Sequence, residues 1–364
     1  MLPKILLRRI EKVVFSPEEG RAKKFLLSPL TLTSFFYKQL IILRNQGYKK
    51  GLFFSYSLPI PVISVGNLTV GGTGKTPTTL YLAWLLQSQG KRVVVLSRGY
   101  KGKASQKVNV VSDGKRILLG PEEAGDEPFL LAEKLPGVPV LTGRDRGVLG
   151  EYAQRKFSSE VTILDDGFQH RKLQRDLDIL LLDGQNPLGN GYLLPRGTLR
   201  EPPEYLKRAH LILVTQPDKK ENNEEIKRII RTYNWSAPIF FAYYVPVALE
   251  KLKPRERIPW DYLRGRKVVA LAGVVRPESF SALLTRLGSE VGNTIFYPDH
   301  HQYQSQDLDK VERDSVIVTT EKDAVKLRPI SFSGREILVL HIKLKVEKEK
   351  EFQAILKKYL PLLF

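Results

Sequence analysis

Short apolar runs rich in Val, Ile and Leu recur along the chain at 62–65, 93–96, 138–141, 161–164, 179–182 and 211–214, with longer helix-compatible segments between several of them. That rhythm predicts an α/β fold: a mostly parallel sheet flanked by helices. After the last run a polar stretch, "QPDKKENNEEIKRIIRTYNW", leads into "APIFFAYYVPVAL", which reads as extended chain with aromatic interleaving. A domain boundary is expected there, with residues 46–235 forming a first domain and 236–364 a smaller second α/β unit whose last helix is free to pack back on the first. Within the second, "RKVVALAGV", "NTIFYPDHH", "DSVIVTTEKDA" and "REILVLHI" read as strands ending in loops. No repeat of fixed period and no low-complexity tract breaks the pattern.

The first 45 residues follow a different pattern. "MLPKILLRRIEKVVF" sets Leu2, Ile5, Leu6, Ile10, Val13 and Val14 near one helical face and Lys4, Arg8, Arg9 and Lys12 mostly on the other, as a basic amphipathic helix requires. "FLLSPLTLTSFFYKQLIIL", residues 25–43, is apolar but interrupted by Pro29, Lys38, Gln39 and several hydroxyls, so a clean membrane span is not expected. Arg8 and Arg9 interrupt the first apolar run, which argues against a signal peptide. Such segments suit either of two uses, capping a domain or docking on a membrane surface.

Composition narrows the classes of partner. The 364 residues are 42% hydrophobic, enough for two domains with a substantial core. Lys and Arg number 58 against 39 Asp and Glu, a formal charge of +19, which favours nucleic acid, phosphorylated metabolites or an anionic membrane. With no cysteine, disulfides, thiol nucleophiles and cysteine metal sites are excluded, and a reducing compartment is compatible.

Candidate chemistry begins at "NLTVGGTGKTPTT", residues 67–79, almost a Walker A phosphate loop except that Thr69 stands where its first glycine usually does. The context is right: "IPVISVGN" reads as a strand and "TPTTLYLAWLLQSQG" as an amphipathic helix. The loop itself is Gly71, Gly72, Thr73, Gly74, Lys75, Thr76 and Pro77. Its glycines let backbone N–H groups face phosphate oxygens, Lys75 can bridge β and γ phosphates, and the Thr76 hydroxyl can bind Mg²⁺; the alternative is a structural turn that ends in Gly-Lys-Thr by chance. Pro77 falls in the first helical turn, where its missing N–H is no loss. "VTILDDGFQHRKL" then supplies Asp165 and Asp166 at the end of a buried strand, where a Walker B acid belongs. Two adjacent carboxylates beside a triphosphate call for a cation, so Mg²⁺ is the natural complement. The alternative for that pair is an exposed acidic turn.

Eight phrases taken together are similar to one family, the tetraacyldisaccharide 4'-kinases of lipid A synthesis. They are "VGNLTVGGTGKTP", "LSRGYKG", "GDEPFLLA", "GRDR", "LDDGFQHRKL", "LLPRGTLREP", "YPDHHQY" and "VTTEKDAVKL", in order from residue 65 to 327. The family's phosphate loop characteristically lacks the earlier glycine, so Thr69 fits it. The resemblance implies a P-loop kinase moving the γ-phosphate of ATP, with Mg²⁺, to the 4'-hydroxyl of a tetraacylated glucosamine disaccharide 1-phosphate. It also implies work at the cytoplasmic face of a Gram-negative-type inner membrane, peripheral or monotopic, on a lipid partner at an anionic surface. A monomer is expected, and no nucleic-acid partner.

Roles follow from the same resemblance. Lys75 and Thr76 match the phosphate-loop lysine and metal-binding threonine, and Asp165 and Asp166 the paired acids, which of them ligates Mg²⁺ being open. Asp126 in "GDEP" matches the general base and His300 in "PDHHQY" its partner, with His301 the adjacent alternative. Arg146, Arg200 and Glu201 match residues lining the cleft. Chemistry supports a carboxylate base, because a sugar hydroxyl must lose its proton as phosphoryl transfer proceeds. From residue types alone, Asp126 reads as a helix N-cap and His300 as a loop residue. Tyr100 is expected either to cap a strand or to touch substrate. Glu321, Lys322 and Asp323 are expected either to face nucleotide or to cap a helix, and "TQPD", 215–218, to be a strand exit. Two rivals carry less: a partition or targeting ATPase, whose extra lysine position is Val70 here, and a nucleic-acid NTPase, for which no stacking module is evident.

Overall fold

Each of these apolar runs is a strand in the computed structural model, which describes residues 20–217, 222–274, 277–309, 311–312, 315–331 and 334–363. The amphipathic segment 2–14 and Asp218 of "TQPD" lie outside the described residues. The chain divides into two compact units, one built from the described residues up to Leu96 with Asp145–Tyr243 and Val346 onward, the other from Ser97–Arg144 and Tyr244–Lys345.

In the first unit Val62–Asn67 lies between Val161–Asp165 and Leu177–Asp183, parallel to both. Val93–Ser97 extends the sheet beyond Val161–Asp165, and Leu211–Thr215 followed by the start of Ile239–Lys251 extends it the other way, all parallel. Every residue of Val62–Asn67 is buried, which explains runs that are apolar throughout rather than alternating. Helix Lys75–Ser88 covers one face with Leu82 and Leu86, both fully buried and each contributing about 1.5–3 kcal/mol. The last helix, Glu349–Tyr359, returns to this unit, with Tyr81 Oη donating to Glu349 Oε1 at 2.9 Å and Phe352 edge-on to Phe240.

Helix Ser28–Lys49 belongs to the same unit and is reversed in polarity. Its buried residues are Ser34, Ile41, Asn45 and Gly47, while Leu32, Phe35, Phe36, Leu40 and Leu43 are 56% to 65% exposed. Pro29 sits at its start, where it does no harm. Among the described residues no helix is long and apolar enough to cross a membrane.

In the second unit Lys267–Ala272 lies between Glu290–Phe296 and Val316–Thr320, and Ile337–Val346 follows, again all parallel. Asn109–Asp113 and Pro139–Thr142 pair antiparallel. The unit departs from the linear division expected at 235, because residues 97–144 belong with the C-terminal half and the chain changes unit inside the strand Ile239–Lys251. The physical reason is ionic as well as topological. Helix Asp126–Lys134 is tied to Glu321–Leu327 and the residue after it by the pairs Lys322–Glu127, Lys134–Glu321 and Arg328–Glu133.

Candidate active site

The phosphate loop leaves a buried strand and enters helix Lys75–Ser88 through Gly74, whose φ of 84° puts it in the left-handed region, as Gly71 is at 118°. Those angles are why glycine stands at both positions. No side chain caps the helix, so its first N–H groups are left for an anion. Thr73 is buried, its carbonyl accepting from Thr215 Oγ1 at 3.0 Å, while its own hydroxyl and the Asn67 carboxamide are buried without a hydrogen-bond partner.

Both aspartates lie at the end of the neighbouring strand but in different surroundings. Asp165 is buried, with the Thr79 hydroxyl 3.3 Å from Oδ1. Asp166 adopts φ 55°, a conformation uncommon outside glycine and a mark of functional turns. Arg200 Nη1 donates to its two oxygens at 2.9 and 3.0 Å, and Lys75 Nζ lies 3.9 Å away. Burial pushes the Asp166 carboxyl up, but the charges of Lys75, Arg200 and Arg146 outweigh it and hold the group below the usual carboxylate range.

Arg200 reaches Asp166 because its segment is zipped against the strand exit. Val70 N–H donates to Thr198 O and Arg200 N–H to Leu68 O, both at 2.7 Å. Helix Ser28–Lys49 secures the same segment from behind: Ser34 Oγ donates to Leu193 O and Tyr37 Oη to Arg200 O, each at 2.9 Å. Glu201, expected to line a cleft, is instead fully buried, accepting from Arg44 Nη2 at 2.8 Å and Arg208 Nη2 at 2.7 Å. It anchors the loop that presents Arg200. Arg146, also expected in the cleft, is only 5% exposed and opens the helix Arg146–Phe157, which Asp145 caps; its charge bears on Asp166 and His170.

The second unit brings Asp126 and His300 together across a long stretch of sequence. Asp126 opens its helix, and His300 Nδ1 lies 3.5 Å from its Oδ2. The Tyr100 ring stands edge-on to His300, centroids 5.6 Å apart. Burial pushes the Asp126 carboxyl up, and the His300 hydrogen bond with the charges of Lys326, His300 and Lys322 more than reverses this. His301 is occupied elsewhere, with Nε2 2.9 Å from Asp307 Oδ2 and its ring stacked on Tyr297. Of the two adjacent histidines, His300 is the one beside Asp126.

A buried strand, an uncapped glycine-rich loop into a helix, paired acids and a separate carboxylate–histidine pair form the equipment of a phosphoryl-transfer enzyme. Residues 24–361 match the family model described as Tetraacyldisaccharide-1-P 4'-kinase. The chain belongs to that family. The tetraacyldisaccharide 4'-kinase of Syntrophus aciditrophicus is 44% identical, covering 93% of this chain and 94% of its own length. That of Anaeromyxobacter dehalogenans strain 2CP-C is 44% identical over 83% of this chain and 82% of its own. Among solved structures, LpxK from Aquifex aeolicus in complex with ATP is 38% identical, with a TM-score of 0.75, covering 92% of this chain and 99% of its own. Membership makes this protein a tetraacyldisaccharide 4'-kinase, a lipid A pathway enzyme acting on a lipid disaccharide.

In this 4'-kinase the residues of "TTEKDAVKL" start the helix Glu321–Leu327 and make several of its ion pairs. Thr320 caps the helix, its hydroxyl accepting from Asp323 N–H and donating to Asp323 Oδ2 at 2.7 Å, and the same Oδ2 accepts from Gly273 N–H at 2.9 Å. Glu321 pairs with Lys134 and, at 2.6 Å, with His341 Nδ1. Sequence reasoning missed the arginines that hold Glu201 and gave His170 no role. Burial and the field of Arg146, opposed by Asp145, push the His170 imidazole down to about 4; the cluster of Arg and Lys around "QHRKL" was the only signal available.

Proposed function

We propose that ATP and Mg²⁺ bind at the phosphate loop of this kinase, and that the γ-phosphate passes to the 4'-hydroxyl of a tetraacylated glucosamine disaccharide 1-phosphate to give lipid IVA. The observation that carries the assignment is the carboxylate–histidine pair, Asp126 with His300 at 3.5 Å, in a chain that also holds an uncapped phosphate loop. The loop fits the nucleotide: its first-turn donors have no side-chain cap and the Thr73 hydroxyl is buried without a protein partner. Thr76, Asp165 and Asp166 suit Mg²⁺, which takes one or two carboxylates and shares its remaining positions with phosphates and waters. When bound, the ion offsets charge on the transferring group.

Lys75 holds the phosphate oxygens, and Arg200 keeps Asp166 oriented through its two hydrogen bonds. Asp126 takes the proton of the attacking hydroxyl; its depressed pKa keeps it ionised and ready. His300 fixes the carboxylate and stabilises its charge. The lipid is met at the membrane. Leu32, Phe35, Phe36, Leu40 and Leu43 repeat at helical spacing on the exposed side of Ser28–Lys49, and Phe25, Leu26, Leu52, Phe53 and Phe54 flank them, all solvent-exposed. With the formal charge of +19, this face supports peripheral docking on the anionic cytoplasmic leaflet of the inner membrane.

Site variants test the assignment. Lys75→Met is expected to cut turnover by about 10²–10³-fold, and Asp126→Asn by about 10²–10⁴-fold with ATP binding retained. Adding His300→Ala to Asp126→Asn should cost little more, because coupled groups are non-additive. Fully multiplicative losses would separate the two residues, and wild-type turnover in Asp126→Asn would remove the base.

A further inference from the structure

Lys322 has a place that the phosphate-loop chemistry does not use. It lies in the first turn of helix Glu321–Leu327, and its ammonium donates to Glu127 Oε1 at 2.7 Å and to Asp299 Oδ1 at 2.8 Å. Glu127 follows Asp126 in the chain, and Asp299 precedes His300. One cation thus grips the neighbour of each member of the pair.

The grip on the histidine side reaches the backbone. Asp299 Oδ1, the oxygen held by Lys322, also accepts the His300 N–H at 3.0 Å, and Oδ2 lies 3.6 Å from His300 Nε2. His300 has φ 61°, a left-handed conformation that a non-glycine residue keeps only where its surroundings over-determine it. On the acid side Glu127 shares the first helical turn with Asp126, so a fixed Glu127 limits how that turn rotates or frays.

We propose that Lys322 is a positioning residue for the Asp126–His300 pair, bracing the residue beside each so that carboxylate and imidazole stay in reach. This rests on the assignment of Asp126 as proton acceptor. A compact ammonium with three donors serves two carboxylates at once, which the rigid fork of arginine does less readily. Burial alone would push Lys322 down, and Glu127 and Asp299 more than reverse it, so the brace stays charged. Lys326 is no substitute: it pairs at 3.0 Å with Asp323, which is committed to its own helix cap and to Gly273.

Among the described residues, the charged and titratable groups near Asp126 include Glu127 on its own helix, Asp299 and His300 on the histidine loop, Lys322, Asp323 and Lys326 on the third element, and Tyr100 against His300. Removing Lys322 takes a cation from this set and leaves Glu127 and Asp299 without the ammonium that holds them. Asp126 then holds its proton to higher pH.

The test is a pH profile of kcat and kcat/KM for Lys322→Met and Lys322→Arg, beside wild type and Asp126→Asn. Lys322→Met is expected to lower kcat by about 10²-fold, the scale of a small misplacement at a reacting group, and to move the acid limb to higher pH. KM for ATP should stay near wild type, and Lys322→Arg should restore part of kcat. Wild-type kcat and acid limb in Lys322→Met would overturn the proposal, as would a loss with an unmoved limb and no recovery in Lys322→Arg. If Lys322→Met does not fold, Lys322→Met/Glu127→Gln removes one stranded carboxylate and must still lose kcat; full activity there overturns the brace. Asp126→Asn keeps the two levels apart. Turnover retained in that variant sinks the base assignment itself, whereas a dead Asp126→Asn beside an unaffected Lys322→Met sinks the brace alone.

Discussion

Glu201→Ala should destabilise the phosphate-loop unit by about 3–5 kcal/mol, the cost of leaving a buried charge without its partner. Arg44, whose side chain is 35% exposed, can recover water; Arg208, at 13%, cannot. The Arg208 guanidinium lies 4.2 Å over the Phe168 ring and 5.1 Å from that of Tyr205, with Nε and Nη1 buried and unbonded. Burial already pushes it down to about 10, with Glu201 opposing that fall, so most of the penalty falls on this residue. Glu201→Gln keeps the volume and one acceptor and should lose about 1.5–3 kcal/mol, the worth of hydrogen bonds to a charged group. Urea unfolding followed by circular dichroism reads the difference, and with a slope of about 3 kcal/mol/M the alanine midpoint should fall by about 1 M or more. Because Glu201 adjoins Arg200, turnover should fall in the folded variant as well. A midpoint within about 0.2 M of wild type would refute the buried-pair reasoning.

Two further outcomes follow from the same structure. His170 has a folded-state pKa of about 4 against about 6.5 unfolded, so its contribution is fully present above the unfolded value and lost as pH falls towards the folded one. His170→Gln should therefore lose less stability than wild type between about pH 7 and pH 4.5, by at most about 3 kcal/mol, in paired urea titrations; equal losses would contradict the burial argument. Replacing Leu32, Phe36 and Leu40 with Ser should weaken binding to anionic vesicles without lowering the melting temperature, since these side chains are already exposed. Unchanged vesicle binding by the folded variant would assign lipid capture to another surface.

The strands were legible because a parallel strand covered on both faces must be apolar throughout, and the runs at 62–65 and 161–164 say so without any tertiary knowledge. The phosphate loop was legible for a similar reason, since strand, left-handed glycines and helix are one local arrangement. The pairing of Asp126 with His300 came from family resemblance; their own sequence surroundings show only a helix start and a loop. Membership of 97–144 in the second unit was not legible, because it depends on ion pairs such as Lys322–Glu127 between distant segments. Glu201 misled for the same reason: an acid in a polar loop looks exposed until Arg44 and Arg208 are seen to converge on it. Helix Ser28–Lys49 was recognised as apolar, but only its buried Ser34 and Asn45 reveal that the apolar side faces outward.

The most direct test is to follow the label from ATP carrying a radioactive γ-phosphate, with Mg²⁺ and a bilayer-held tetraacylated disaccharide 1-phosphate. Wild type should place the label on the 4'-oxygen of the lipid, and Lys75→Met and Asp126→Asn should leave the lipid unlabelled at equal enzyme and time. Label released as inorganic phosphate with none on the disaccharide, or found on a different hydroxyl, would contradict the account.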